Sequence, residues 1–105
     1  MAEQIRILLA DDHTLLREAL RDALVTDPGL AVVAEADSGE SAVRLAVLHR
    51  PQVVLLDVEM PGHHAPTTVR QLLAAGVSGH LHESVNLPTL IAAVRSVVQA
   101  AAEQG

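Results

Sequence analysis

The sequence has 105 residues, half of them apolar, with no Cys, Phe, Tyr or Trp. This length fits a single small domain, 1–105, whose core must come from Leu, Val, Ile, Ala and Met. A formal charge of −6 argues against a nucleic-acid surface, the lack of Cys removes disulfides and thiolate metal sites, and no apolar run reaches the ~18 residues of a membrane span.

IRILLA (5–10) is a short apolar run followed by the turn-type residues DDHT, and it reads as a buried strand. From Leu15 to Val25 apolar residues recur at helical spacing. Asp27-Pro28-Gly29 ends that helix. AVVAEA (31–36) is a second strand. Ser38 is a plausible N-cap for a helix from Gly39 to about His49, closed by Pro51. VVLLD (53–57) is the most apolar strand.

Pro61-Gly62-His63-His64 reads as loop. Pro66 suits the first turn of a helix to Ala75, with Gly76 as its C-cap. VSGHLH (77–82) is a weaker strand. Pro88 suits the first turn of a last helix to about Ala102, with Asn86 as a candidate cap. The order β-α-β-α-β-α-β-α predicts an α/β fold, a doubly wound parallel sheet with helices on both faces. The N-terminus lacks a charged segment, apolar core and cleavage site, so a cytoplasmic location is expected.

Sites in open parallel sheets form at the carboxyl ends of the strands. The first strand runs into Asp11-Asp12 and the third into Asp57. If these strands are neighbours, three carboxylates converge, and without a counterion they repel. A hard divalent cation resolves that, and Mg2+ suits a few carboxylates plus water and phosphate. A metal beside a carboxylate nucleophile also serves phosphoryl transfer. The bland alternative is that these acids are turn residues, with Asp12 capping the first helix.

The motifs ILLADDH (7–13), VVLLDVEMPG (53–62) and LLAAGVSGHLHES (72–84), the last followed by an apolar helix, resemble the receiver domain of bacterial two-component response regulators. The style is closest to the LuxR/NarL-type regulators, although no DNA-binding output domain is present in this sequence. The resemblance covers nearly the whole chain and implies a flavodoxin-like receiver fold. It implies that Asp57 is the phosphoacceptor, that Asp11 and Asp12 hold Mg2+ with Asp57, and that the backbone carbonyl of Glu59 completes the metal shell. It also implies a sensor histidine kinase as partner and control of a transcriptional output.

Three departures stand beside the match. The family carries a lysine after its last strand, where this chain has Glu83, and the chain has no lysine anywhere. A carboxylate near an aspartyl phosphate repels it. Two like charges ~4 Å apart cost about 1 kcal/mol in water and about 4 at an effective dielectric of 20. The family's hydroxyl-bearing fourth strand is not found. One helix, PTTVRQLLAAG, does the work of two, so the fold is expected to be reduced to about four strands and four helices. The last strand should move in beside the third, giving an order of 2-1-3 and then the last. The family's switch aromatic is replaced by His80.

His63, His64, His80 and His82 show no spacing that selects a transition metal. The apolar last helix, and the cover lost with a strand-helix unit, predict a homodimer. The leading reading is a phosphorelay receiver domain, regulatory rather than enzymatic. Its alternative is a degenerate, phosphorylation-independent dimerisation or interaction module, which Glu83 favours. A small Mg2+-dependent phosphatase using Asp57 is disfavoured by the absent lysine and the lack of room for a substrate pocket.

Overall fold

The computed structural model describes residues 4–57, 60, 65–77, 79–82 and 87–104; at 65, 66, 80–82, 87 and 104 the description is of the backbone. The chain order is β1 (Ile5–Ala10), α1 (Thr14–Leu24), β2 (Leu30–Ala36), α2 (Gly39–His49), β3 (Val53–Leu56), α3 (Ala65–Ala74), β4 (Gly79–His82) and α4 (Leu87–Gln104). The four strands form one sheet in the order β2-β1-β3-β4. Every pairing in it is parallel. The last strand therefore sits directly beside β3, as expected for a sheet that keeps no gap.

Period-two alternation splits the core into two layers. Leu8 and Ala10 of β1 and Val54 and Leu56 of β3 point to one face, where they meet Ala42 and Ala46 of α2 and Leu72 of α3. Ile7, Leu9, Val53 and Leu55 point to the other, against Leu24 of α1 and Leu90 and Val94 of α4. Central strands buried on both faces must be apolar throughout, which is why VVLL reads as an unbroken run. Each buried Leu or Val contributes roughly 1.5–3 kcal/mol relative to exposure.

β2 pairs with β1 with one slip. Ile7 faces Val32 and Leu8 faces Ala34, so Val33 is an extra residue. The slip turns Ala34 and Ala36 toward the α2 layer.

Local chemistry fixes the element ends. Ser38 caps α2: its hydroxyl accepts from the Ser41 amide, and Ser41 returns the bond to the Ser38 amide. Arg50 ends that helix with φ 51, in the left-handed region just before Pro51. The Arg6 guanidinium donates to the Arg50 carbonyl at 2.8 Å and also to that of His49, tying the end of α2 to β1. Gly76, at φ +95, takes the chain out of α3 where a side chain would be strained.

The boundaries differ slightly from the sequence expectation. β4 starts at Gly79 rather than residue 77, because the Val77 amide still donates to the Leu72 carbonyl of α3 at 3.3 Å, while the Gly79 amide is bonded across to the Gln52 carbonyl. Asp12 does not cap α1. The N-cap is His13, and its side chain makes no capping hydrogen bond. Asn86 lies outside the described residues.

Candidate functional site

The sheet ladder runs one residue past the strands at their carboxyl ends. The Asp11 amide donates to the Ala36 carbonyl at 2.9 Å, and the Asp57 amide donates to the Ala10 carbonyl at 2.9 Å. These two bonds set Asp11 and Asp57 side by side on the same edge of the sheet. Backbone pairing between β1 and β3 thus brings together acids that lie 46 positions apart in the sequence.

Asp11 is fully buried. Its Oδ1 accepts from the His13 amide at 2.8 Å, which curls the chain back over the strand end. That turn carries the His13 imidazole inward. Its Nδ1 lies 3.0 Å from Asp11 Oδ1, 3.2 Å from Asp12 Oδ1 and 3.6 Å from Asp57 Oδ2. The side chain of Asp57 is 16% exposed, that of Asp12 30% and that of His13 66%. Asp57 is shielded yet reachable, while the imidazole inserts one nitrogen and leaves most of its surface outside.

These contacts raise the His13 pKa above its ordinary value. The hydrogen bond with Asp11 acts most, then the charges of Asp12 and Asp11; slight desolvation opposes them, and Asp57 adds the least.

Arg17 of α1 braces this loop from behind. Its Nη1 donates to the Asp11 carbonyl at 2.7 Å and its Nε to Glu35 Oε1 at 3.1 Å. Arg21 reaches the other Glu35 oxygen at 3.4 Å. These two guanidiniums are engaged with Glu35, and His13 is the basic group set against the carboxylates among the described residues.

Asp11, Asp12, His13 and Asp57 each present a ligand atom within 4.8 Å of the others, a geometry able to gather a divalent cation. The donor set is mostly hard carboxylate oxygen, as Mg2+ requires. Asp12 Oδ1 is closed off from solvent and accepts no hydrogen bond, and the His13 imidazole stands 3.2 Å away as its ion-pair partner. A buried oxygen in that condition is costly unless something cationic meets it.

The sequence reading anticipated Asp11, Asp12 and Asp57, and the fold brings the three together. It did not include His13, which it took for a turn residue. The available signal was that His13 follows two acids directly. Glu59 and Glu83 lie outside the described residues. His80 lies on β4 opposite Val54 of β3.

A family model for the response regulator receiver domain matches residues 7–81. The chain belongs to the response regulator receiver domain family. This receiver domain is 31% identical to the transcriptional regulatory protein DegU of Brevibacillus brevis, over 94% of this chain and 52% of DegU. It is 37% identical to the nitrate/nitrite response regulator NarL of Escherichia coli K12, over 75% of this chain and 37% of that protein. The chain therefore spans about half or less of the curated relatives it matches.

Among solved structures, the receiver domain of NarL from Mycobacterium tuberculosis matches 96% of this chain and 95% of its own, with a TM-score of 0.59 and 30% identity. The response regulator domain of Thermotoga maritima CheB gives a TM-score of 0.74 over 92% of this chain and 98% of its own. At 21% identity it supports the fold alone.

The DegU alignment runs over 123 positions, whereas 94% of this 105-residue receiver domain is only about 99 residues. About two dozen positions of the alignment thus have no residue from this chain. That is the size of one strand, one helix and their connections, given typical lengths of about 5–6 and 11–12 residues. In this chain β4 pairs directly with β3.

Proposed function

We propose that this receiver domain serves phosphorelay signalling by accepting a phosphoryl group on Asp57. Mg2+ would be held by the carboxylates of Asp11, Asp12 and Asp57, with the backbone carbonyl of Glu59. The observation that carries this reading is the convergence of three carboxylates, from two neighbouring strand ends, on one reachable edge of the sheet.

In the reaction a carboxylate oxygen of Asp57 attacks the phosphorus of a phosphohistidine on the partner kinase. The P–N bond breaks, its electron pair returns to the donor imidazole, and Asp57 becomes an acyl phosphate. Asp11 and Asp12 hold negative charge in fixed positions beside the acceptor, and Arg17 keeps their loop in place. Mg2+ held by the carboxylates of Asp11, Asp12 and Asp57 would supply charge neutralisation for the incoming phosphoryl group.

Residues 1–105 are read as one domain, a cytoplasmic regulatory module rather than an enzyme, with a sensor histidine kinase as its partner. Control of a transcriptional output fits the similarity to DegU, a transcriptional regulatory protein of which this chain spans about half. Self-association into a homodimer is supported by Val47 and Leu48 of α2 and Leu73 of α3, large apolar side chains left exposed on two helices that cover the same sheet face.

The absence of any lysine favours a second reading, in which the pocket is vestigial and the chain works by docking alone. Electrophoresis in a phosphate-retarding gel separates the two. Mixing with a small-molecule phosphodonor and Mg2+ should retard the parent chain but not Asp57→Asn. Equal mobility of both, with each shown to be folded, rejects phosphoryl acceptance and leaves the docking reading.

A further inference from the structure

We infer that this receiver domain associates head to tail, with the outer face of α1 of one copy seated on the α2–α3 face of a second copy. This contact deepens the self-association proposed above and names the surface that covers Val47, Leu48 and Leu73.

Two groups of exposed apolar side chains lie on opposite sides of the sheet. Val47 and Leu48 of α2 and Leu73 of α3 stand over one side. Leu15 and Leu16 open α1, which covers the other. The charges around the two groups are opposite. On α1, Leu15, Glu18 and Asp22 follow one another at three- and four-residue spacing, so they share one stripe of the helix, and all three are exposed. Glu18 pairs with no base among the described residues, and Asp22 meets Arg21, which Glu35 also holds.

The α2–α3 face is basic, although the whole chain carries −6. Arg44 lies one turn before Val47 and Leu48, and Arg70 one turn before Leu73. Neither arginine pairs with an acid among the described residues. Exposed Arg50 at the end of α2 adds a third positive charge against the single exposed acid of that helix, Glu40. The other arginines are used internally: Arg6 on the carbonyls that end α2, Arg17 and Arg21 on Glu35, Arg95 on Asp27. Arg44 and Arg70 are thus the guanidiniums available to a partner.

Opposite charge selects that partner. Two α2–α3 faces together set arginine against arginine, and two α1 faces set acid against acid, and like charges are penalised at an interface. Head to tail, leucine meets leucine while Glu18 and Asp22 meet arginines. The dimensions agree. α1 and α2 have 11 residues each and α3 has 10, which makes every one of them about 15–16 Å long. One helix therefore fits along the seam between the other two. Because the two faces lie on opposite sides of the sheet, each dimer keeps one free face of each kind, and further copies can add.

Sedimentation velocity on the full chain reads this contact. The parent chain should grow past the dimer as its concentration rises, and added salt should reverse the growth. Leu15→Arg spoils the α1 face, and Leu48→Gln combined with Leu73→Gln spoils the other. These side chains are 83%, 70% and 50% exposed, so the fold should be kept, which circular dichroism checks. Each variant alone should sediment as a monomer. Mixed in equal amounts, the two should form a one-to-one dimer that grows no further, since each supplies the face that the other lacks. Dimerisation of Leu15→Arg alone overturns the head-to-tail contact and leaves a symmetric α2–α3 dimer, so self-association survives. Variants that stay monomeric when mixed also overturn the contact. A folded parent chain that is monomeric at every concentration overturns self-association itself.

Discussion

Arg17 Nη1 donates to the backbone carbonyl of Asp11 at 2.7 Å while the same guanidinium pairs with Glu35 of the edge strand. One side chain of α1 thus holds both the acidic loop and β2. Only 16% of the Arg17 side chain is exposed, so this is not a solvent-screened surface pair. Arg17→Ala should lower stability by about 1–3 kcal/mol, the range for a hydrogen bond to a charged group with its partners left behind. Urea unfolding measures the loss, and faster amide exchange at 11–13 would show the loop loosening. Arg17→Lys should recover little, because an ammonium cannot serve both acceptors in the guanidinium's fork geometry. Full recovery by Lys would mean that charge alone matters.

Gly79 at the start of β4 lies against Val97 of α4. A Cβ built there would stand 2.2 Å from Val97 Cγ1, inside any tolerable contact. Gly79→Ala should therefore cost about 1–3 kcal/mol through forced repacking. Val97→Ala removes the obstructing methyls. In the double variant the two losses should sum to less than their separate values, and a double-mutant cycle reads that difference. Simple additivity would mean that α4 shifts as a whole to make room.

Asp27 links the end of α1 to α4. Its Oδ2 accepts from Arg95 at 2.6 Å and its Oδ1 from the Gly29 amide at 2.8 Å. The Arg95 hydrogen bond is the largest influence holding the Asp27 pKa below its ordinary value, followed by the Gly29 amide; desolvation opposes them and the Arg95 charge adds to them. A carboxylate depressed on folding stabilises above its unfolded value, and that contribution fades as pH falls through the folded one. The stability advantage of the parent chain over Asp27→Asn should be full above about pH 4 and shrink on further acidification. Urea unfolding at stepped pH tests this. A constant advantage down to the lowest pH would contradict it.

His13 gives the opposite sign. Its raised pKa means that its contribution to stability is fully present below the ordinary value of about 6.5 and is lost as pH rises through the folded value. Nuclear magnetic resonance titration should place the imidazole above that ordinary value. Asp11→Asn should bring it down more than Asp12→Asn does, since the Asp11 hydrogen bond acts most. Equal effects would mean that pooled charge, not the specific bond, governs the ring.

Much of this organisation was legible because the signals were periodic. VVLL and IRILLA announce strands buried on both faces, and the helices follow from 3.6-residue spacing with punctuation at Ser38, Pro51 and Gly76. α2 spans Gly39–His49, with Ser38 as its cap, as expected. The convergence of Asp11, Asp12 and Asp57 followed from one assumption, that β1 and β3 are neighbours, and they are. His13 escaped because its placement depends on a tertiary detail. Only when the buried Asp11 carboxylate captures the His13 amide does the chain curl back and bring the ring over the acids. No spacing rule encodes that, and the same capture explains why His13, not Asp12, stands at the N-cap of α1. The later start of β4 has a local cause, because the Val77 amide is taken by the Leu72 carbonyl at the end of α3.

Phosphoryl acceptance on Asp57 is read out by intact-mass spectrometry. The parent chain and Asp57→Ala would be incubated with a small-molecule phosphodonor, each with Mg2+ and with a chelator. A gain of one phosphoryl group is expected on the parent chain with Mg2+, a much smaller gain with chelator, and none on Asp57→Ala. No adduct on the folded parent chain, or an equal adduct on the variant, would contradict it.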